Sequence, residues 1–208
     1  MRVKRLFREQ ERLAKKAKLY DAFGKVRYVA GVDCAYLDSR IIGGVVVLDY
    51  DTLEPVTSAH AILKLDFPYV PGLLAYREAK AMIAAFRKVK HEADILMVDG
   101  FGVNHPRRCG IATHVGIKLD MPTIGVGKSF LCGEVRDDTI YQSGEPAGKL
   151  LYSGASKRPV YVSPGHKISL DTAVDIVKKC TLKGRLPEPT RMAHEHAGKI
   201  KRELAAKG

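Results

Sequence analysis

The alternation of polar and apolar positions divides the first third of the chain into one helix and three strands. Residues 2–20 are charged and helix-forming, with a thin apolar stripe at Leu6, Leu13 and Ala17. This pattern predicts a basic surface helix, whose charged face is either solvated or lies along a phosphate backbone. The next apolar runs are rich in Val, Ile, Tyr and Leu, and their short connections predict an antiparallel meander. These strands are expected at 26–36, 41–50 and 56–66.

Helices and strands alternate in the rest of the chain. A helix at 72–90 follows Pro71, and a strand at 94–98, a helix at 108–119 and a strand at 122–126 predict a β-α-β unit. Three antiparallel strands, a crossover helix and parallel strands form the order of the ribonuclease H-like fold. We therefore expect an α/β protein with a mixed central sheet flanked by helices. Its last elements are two short strands within 148–163 and helices at 169–181 and 190–205.

Length and charge indicate one domain with a polyanionic partner. The 208 residues, 46% of them hydrophobic, can bury a full core. We expect a single domain over 1–208, made of a basic helix (1–20) and a ribonuclease H-like core (26–205) that includes the C-terminal helices. Thirty-five Lys and Arg against 23 Asp and Glu leave a net charge of +12. This charge suits nucleic acid, although a soluble basic protein without such a partner is the alternative.

The cysteines and the hydropathy indicate the compartment. Cys34, Cys109, Cys132 and Cys180 form no C-x-x-C pair and no signal peptide precedes them, which argues against a zinc site or a disulfide framework. No apolar run approaches the roughly 18 residues of a membrane helix. We therefore expect a cytoplasmic monomer that does not enter a membrane.

Three carboxylates are candidate metal ligands. Asp33 lies within an apolar run, and Asp99 ends the predicted strand at 94–98 just before two glycines. A buried carboxylate needs a partner, which is either a metal ion or one of the many Lys and Arg residues. Glu78, in the second turn of the helix after Pro71, reads by itself as a surface residue. Together the three supply the oxygen ligands that Mg²⁺ prefers, so the sequence supports phosphoryl chemistry as well as simple ion pairing.

Basic and imidazole groups follow the same strands. Pro106 restrains the backbone between His105 and Arg107, so that the imidazole is either a proton donor or phosphate contact, or a residue at the edge of the core. Arg107 could bind phosphate. Lys128 could meet a scissile phosphate or face solvent. Its Gly-Lys-Ser context is no P-loop, because a strand occupies the place of the loop.

The motifs taken together resemble the endonuclease V family from about Tyr28 to His194. The chain ends in the same manner, with Pro187-Glu188-Pro189-Thr190-Arg191 before the last helix. The motifs that carry the resemblance are Gly31-Val32-Asp33, Phe67 to Glu78, Asp99-Gly100-Phe101-Gly102, His105-Pro106-Arg107, Gly110 to His114, Pro122 to Val126, Lys128-Ser129 and Val162 to His166.

The resemblance implies a DNA-repair endonuclease that cuts the second phosphodiester bond 3′ to deoxyinosine and leaves 3′-hydroxyl and 5′-phosphate ends. Inosine-containing RNA and single strands are further candidate substrates. Mg²⁺ is the implied cofactor, and Mn²⁺ could substitute for it. By position, the implied metal ligands are Asp33, Glu78, Asp99 and His194, and the implied catalytic residues are Asp33, Glu78, Asp99, His105 and Lys128.

The resemblance also assigns the residues that would handle the base. Pro68-Tyr69-Val70-Pro71 matches a strand-separating wedge, in which Tyr69 fills the gap left by the extruded inosine. An aromatic plug of this kind offsets part of the cost of unstacking. Arg107 is a further candidate for substrate binding. The matching base pocket is lined by Gly72, Leu74, Gly100 and Ile111.

Three positions depart from the family pattern. Cys34-Ala35 replaces a small or polar pair, Phe101 stands where relatives usually carry a polar residue, and Gly127 replaces an alanine. Phe101 could either stack on a nucleotide or pack inside the protein. The alternatives to the nuclease are a non-catalytic nucleic-acid binder on the same fold and a hydrolase of mononucleotides. The clustered carboxylates count against the binder, and the missing P-loop counts against the hydrolase.

Overall fold

The computed structural model describes residues 2–89, 91, 93–153 and 156–207, with Arg2 described in its backbone only. The helices within these residues are α1 (Arg2–Ala14), α2 (Leu74–Phe86), α3 (Ile111–Leu119), α4 (Leu170–Lys179) and α5 (Glu188–Ala205). The strands are β1 (Tyr28–Leu37), β2 (Arg40–Asp49), β3 (Pro55–Lys64), β4 (Ile95–Asp99), β5 (Thr123–Gly127), β6 (Glu134–Arg136), β7 (Thr139–Gln142), β8 (Glu145–Leu151) and β9 (Val160–His166).

The described strands form one mixed sheet in the order β3-β2-β1-β4-β5-β9-β8-β7-β6. β1, β2 and β3 pair antiparallel, whereas β1, β4 and β5 pair parallel. β9 returns antiparallel to β5 and carries β8, β7 and β6 as successive antiparallel neighbours. The predicted α/β fold of the ribonuclease H type, with its antiparallel strands before the parallel ones, is confirmed.

Both faces of the central strands are buried. Along β4, Ile95 and Met97 join one hydrophobic cluster, whereas Leu96 and Val98 join the other. Because successive side chains of a strand point to opposite faces, each cluster needs its own covering helices. Residues of α4 complete the first cluster, and residues of α2 and α3 complete the second. The sheet is therefore the middle layer of a three-layer sandwich.

Some element boundaries differ from the prediction. The first helix ends at Ala14 rather than at residue 20, because the backbone after it bonds to the end of β9. Lys18 N–H donates to His166 Nδ1 at 3.3 Å, and Ala22 N–H donates to the Lys167 carbonyl at 3.2 Å. The strands β6 and β7 were not predicted. The predicted turn around residues 154–157 falls partly on residues 154 and 155, which lie outside the described residues.

None of the described helices is both long and apolar enough to cross a lipid bilayer.

Helix α5 lies unusually close to β1 and β2. A β-carbon on Gly31 of β1 would lie 1.9 Å from the Pro189 carbonyl oxygen, and one on Gly44 of β2 would lie 2.9 Å from the Ala197 β-carbon. Neither contact leaves room for a methyl group. Glycine on these strands therefore sets the depth at which α5 docks.

We predict that Gly31→Ala destabilises the protein by roughly 1–3 kcal/mol, the usual cost of overpacking, because the obstacle is backbone that cannot rotate away. Urea denaturation would measure the loss. Gly24→Ala is the matched control, since a β-carbon there meets nothing within 4 Å. Equal stability of both variants would show that α5 is not held by this contact.

Candidate active site at the ends of the parallel strands

The register of two parallel strands brings two carboxylates together. Val32 of β1 pairs with Val98 of β4, so the next residues, Asp33 and Asp99, are neighbours at the carboxyl ends of these strands. Asp33 is buried and Asp99 is partly buried. Catalytic groups of α/β proteins commonly lie at this edge of the sheet, where loops leave the strands. The structure thus places these two of the three candidate carboxylates side by side.

Helix α5 adds an imidazole to the pair. His194 Nδ1 lies 2.7 Å from Asp33 Oδ2. One ligand atom each from Asp33, Asp99 and His194 lies within 4.8 Å of the others, and no second group of this kind occurs among the described residues. Three donors converging from separate elements form a candidate metal site.

Glu78 lies beside this group but outside its 4.8 Å limit. It is buried on α2, and its Oε1 accepts a short hydrogen bond from the Tyr36 hydroxyl. Burial, together with the negative charges of Asp33 and Asp99, raises the pKa of Glu78 to about 7. The role of Glu78 as a ligand stays a prediction.

Burial and the proximity of like charges make the ionised form of the carboxyl groups unfavourable at this site. Desolvation and the charge of Asp99 raise the pKa of Asp33 to about 6, although His194, the Cys34 N–H and Lys128 act in the opposite direction. A bound cation would relieve this repulsion. The carboxylate oxygens also suit the hard ions Mg²⁺ and Mn²⁺. The donor set therefore fits a divalent metal.

Lys128 completes the charged group. It follows β5, and its Nζ forms a short ion pair with Asp99 Oδ2. Its backbone carbonyl accepts from the Arg185 guanidinium, which also donates to the Pro159 carbonyl at 2.8 Å. These contacts hold the end of β5 in place and direct the ammonium toward the carboxylates. Arg185 is a supporting residue that the sequence interpretation missed.

His105 lies apart from the carboxylates, and both of its ring nitrogens are engaged. The Arg107 backbone N–H donates to Nδ1 at 3.2 Å, so the proton resides on Nε2, which donates to the Gly72 carbonyl at 3.1 Å. Burial and the charge of Arg107 lower the pKa of His105 to about 4. At neutral pH the ring is therefore uncharged, and it fixes the loop that precedes α2.

The Gly72 carbonyl accepts from three side chains. Besides His105, it accepts from Arg107 Nη2 at 2.8 Å and from Gln10 Nε2 at 2.9 Å. Gln10 Oε1 in turn accepts from Arg107 Nε at 2.7 Å, and the guanidinium lies 3.9 Å over the Phe7 ring. Arg107 therefore binds the N-terminal helix and the Gly72 loop, and this contact is additional to its predicted contact with substrate.

Gln10 is a site residue that the sequence interpretation missed. Its side chain is 1% exposed. Leu6, Gln10 and Leu13 recur at i, i+4 and i+7, the spacing of a buried helix face, and this pattern could have identified it. A polar residue on such a face needs internal partners, and the carbonyls of Gly72 and Cys109 provide them.

A cavity of about 280 Å³ opens beside the loop that contains Gly72. Its volume lies just below the roughly 300–1,000 Å³ of pockets for drug-sized ligands, so it has room for only a small ligand. The predicted pocket residues Gly72, Leu74 and Ile111 line it. Gly100 adjoins it, since a β-carbon there would lie 2.4 Å from Ile111 Cγ2. The other lining residues are Gln10, Tyr69, Ala75, Phe101, His105, Gly110, Ser129 and Leu131.

The predicted wedge lies at this cavity. Tyr69 lines it and is 67% exposed. Pro68 and Pro71 are exposed and Val70 is partly buried, in the irregular segment between β3 and α2. The structure thus brings Tyr69, most of the predicted pocket residues and His105 to one cavity. It brings the candidate metal ligands Asp33, Asp99 and His194, with Lys128, to a second group at the ends of β1, β4 and β5.

A sheet of the ribonuclease H type, with a buried and a partly buried carboxylate and a lysine at the ends of its parallel strands, indicates a nuclease. Comparison with known proteins gives the family. A model of the endonuclease V family matches residues 11–195, and the chain belongs to that family. It is an endonuclease, a DNA-binding hydrolase of DNA repair.

Three relatives illustrate the extent of the similarity. Endonuclease V of Dictyoglomus turgidum is 41% identical over 199 residues, which span 92% of this chain and 87% of the relative. The crystal structure of endonuclease V from Streptomyces avermitilis is 34% identical, with a TM-score of 0.86 over 97% of this chain and 94% of that one. Endonuclease V of Ciona intestinalis, in complex with a 24mer DNA containing an inosine followed by a ribo-adenosine, is 30% identical, with a TM-score of 0.87 over 98% of both chains.

We predict that Asp33→Asn raises the unfolding midpoint of the metal-free protein at about pH 8, and that this gain shrinks toward about pH 4. The folded carboxyl has a pKa of about 6, whereas the unfolded one has about 3.9. The folded state therefore binds more protons between these values, and the wild type loses stability as pH rises through this window. Asparagine has no charge to desolvate.

Thermal unfolding in EDTA across this pH range would test the prediction. Asp51→Asn is the control, because Asp51 is exposed and pairs only with Lys179 in a surface ion pair. A gain for Asp33→Asn that is the same at every pH would mean that ionisation of the carboxyl is not its cause.

Proposed function

We propose that this protein hydrolyses the second phosphodiester bond on the 3′ side of deoxyinosine in DNA, and that it requires a divalent metal ion. The observation that carries the proposal is that a base-sized cavity lined by the exposed Tyr69 occurs together with a cluster of candidate metal ligands. Lys128 forms an ion pair with one of these ligands, Asp99. The Ciona intestinalis relative, bound to inosine-containing DNA, supports inosine as the recognised base.

The cavity would receive the inosine after it leaves the base stack. Tyr69 would occupy the vacated position, which offsets part of the few kcal/mol that unstacking costs. The backbone around Gly72 and Ile111 would read the keto and N–H edge of hypoxanthine through amides and carbonyls. The triple hydrogen bond on the Gly72 carbonyl supports this role, because it holds the loop rigid before the base arrives.

Asp33, Asp99 and His194 would hold the metal ion, with Glu78 as a further ligand, and Mg²⁺ or Mn²⁺ fits this donor set. The bound ion would supply charge neutralisation and activation of water for phosphoryl transfer. Water oxygen bonds to phosphorus as the bond to the 3′ oxygen breaks, which leaves a 3′-hydroxyl and a 5′-phosphate. Lys128 would place its positive charge beside the scissile phosphate, where negative charge accumulates.

The same cavity and cluster can accept an inosine in a single strand or in RNA, since no contact assigned here requires a second strand or the absence of a 2′-hydroxyl. We include these as candidate substrates, and we propose a monomer acting in the cytoplasm. A non-catalytic binder would use the positive charge of the chain, but it would gain nothing from buried carboxylates that repel phosphate.

We predict that the wild-type protein with Mg²⁺ or Mn²⁺ nicks a labelled duplex carrying one deoxyinosine, one nucleotide beyond the inosine, and that EDTA abolishes the reaction. Asp99→Ala should reduce cleavage by at least about 10³-fold while retaining binding, because it removes a ligand and the partner of Lys128. A gel-based nicking assay and a binding titration measure the two effects. Undamaged duplex and an inosine-containing RNA complete the set of substrates.

Asp51→Ala is the matched control, since it removes an exposed carboxylate far from the cluster along the chain. Binding of inosine DNA without any cut by the wild type would make the protein a binder. Full turnover by Asp99→Ala would reject the proposed metal site. Cleavage of mononucleotides would favour the hydrolase alternative.

We predict that Tyr69→Ala weakens cleavage of inosine duplex about 5- to 100-fold in kcat/KM, and single strand by much less. The reason is that loss of stacking matters only where a partner strand leaves a gap. Tyr20→Ala controls for removal of an exposed aromatic, since Tyr20 is exposed and does not line the cavity. Equal losses on duplex and single strand would contradict the wedge role.

A further inference from the structure

The Phe101 ring occupies the space that a side chain at position 127 would need. A β-carbon built on Gly127 would lie 2.4, 2.5 and 3.0 Å from three ring atoms of Phe101, and these are the three nearest heavy atoms to it. Such distances are too short for any real contact, so the ring would have to move before a residue larger than glycine could stand at position 127. The position of the Phe101 ring therefore depends on the residue at position 127, although 25 other residues separate the two in the sequence.

The backbone at Phe101 is held in place on both sides. The Gly100 N–H donates to the Val126 carbonyl at 3.1 Å, and the Gly102 N–H donates to Ser163 Oγ at 2.8 Å. The Phe101 carbonyl itself accepts from the Ala112 N–H at 2.9 Å. Because the backbone is fixed, the direction of the ring depends on the space that Gly127 leaves free.

The ring faces the cavity and is not part of the core. Phe101 is partly exposed, it belongs to neither hydrophobic core cluster of the described residues, and it lines the same 280 Å³ cavity as Tyr69 and Ile111. Gly127 also precedes Lys128, whose ammonium binds Asp99. The ring therefore separates the base cavity from the strand that carries the catalytic lysine.

We propose that Phe101 is a substrate-binding residue that stacks on the extruded base, and that Gly127 is required to hold its ring in the cavity. An aromatic ring in a base pocket stacks on the flat face of a purine and excludes water from it. This inference rests on the proposed function. It adds a substrate contact and a positioning residue that neither the pocket backbone nor the wedge provides.

The test is a double-mutant cycle of Phe101→Ala, Gly127→Ala and the double variant, with a single-stranded oligonucleotide carrying one deoxyinosine as substrate. Phe101→Ala should raise KM about 5- to 150-fold, the change that corresponds to the stacking of one base, with a smaller effect on kcat. Gly127→Ala should raise KM similarly, because its methyl group displaces the ring. The KM of the double variant should not exceed the higher KM of the two single variants, since the ring with which the new methyl group clashes is gone.

Losses that multiply in the double variant, or a KM for Phe101→Ala equal to that of the wild type, would overturn the inference. Phe101→Leu keeps apolar volume without a flat ring, so it should fold like the wild type, as judged by its thermal midpoint, and still show a raised KM. If the wild type cuts no inosine substrate, the proposed function fails; if the wild type cuts and the cycle is additive, only this inference fails.

Discussion

The parallel pairing of β1 with β4 sets the geometry on which the rest of the site depends. Four pairs, from Val29–Ile95 to Val32–Val98, fix the register and leave Asp33 beside Asp99 at the edge of the sheet. A shift of one residue would turn one carboxylate to the opposite face. The hydrophobic clusters on both faces of the sheet oppose such a shift, because every apolar side chain of the strand would have to repack in the cluster on the other face. The core thereby enforces a contact between like charges that is unfavourable by itself.

The surrounding residues are arranged to tolerate this repulsion. Lys128 pairs with Asp99 and His194 with Asp33, and each partner comes from a different element. The pKa of Asp33 nevertheless remains raised, to about 6, so the compensation is incomplete. A site that keeps unfavourable negative charge in the folded protein gains stability when a cation binds. Folding stability and metal affinity are therefore opposed at these residues, as is common at functional sites.

The sequence could predict those parts of the molecule that depend on local patterns. The order of elements followed from apolar periodicity, and Asp33 and Asp99 stood out because a carboxylate in or after an apolar run is unusual. β6 and β7 could not be found in this way, since β6 is fully exposed and both strands are too short to show alternation. The hydrogen bonds of His105 also escaped prediction, because its partner, the Gly72 carbonyl, is 33 residues away along the chain. Gln10 shares a buried helix face with Leu6 and Leu13, but its partners, the carbonyls of Gly72 and Cys109, are brought to it only by folding.

One continuous segment joins the two halves of the site. Asp99 belongs to the charged cluster, whereas Phe101, His105 and Ile111 line the cavity, and hydrogen bonds to neighbouring strands fix the backbone between them. The Val103 N–H, for example, donates to the Pro164 carbonyl at 2.8 Å. A rigid segment of this kind sets a constant distance between a bound base and the reacting phosphate. A nuclease built in this way would cut at a fixed offset from the base that it recognises, without reading the sequence in between.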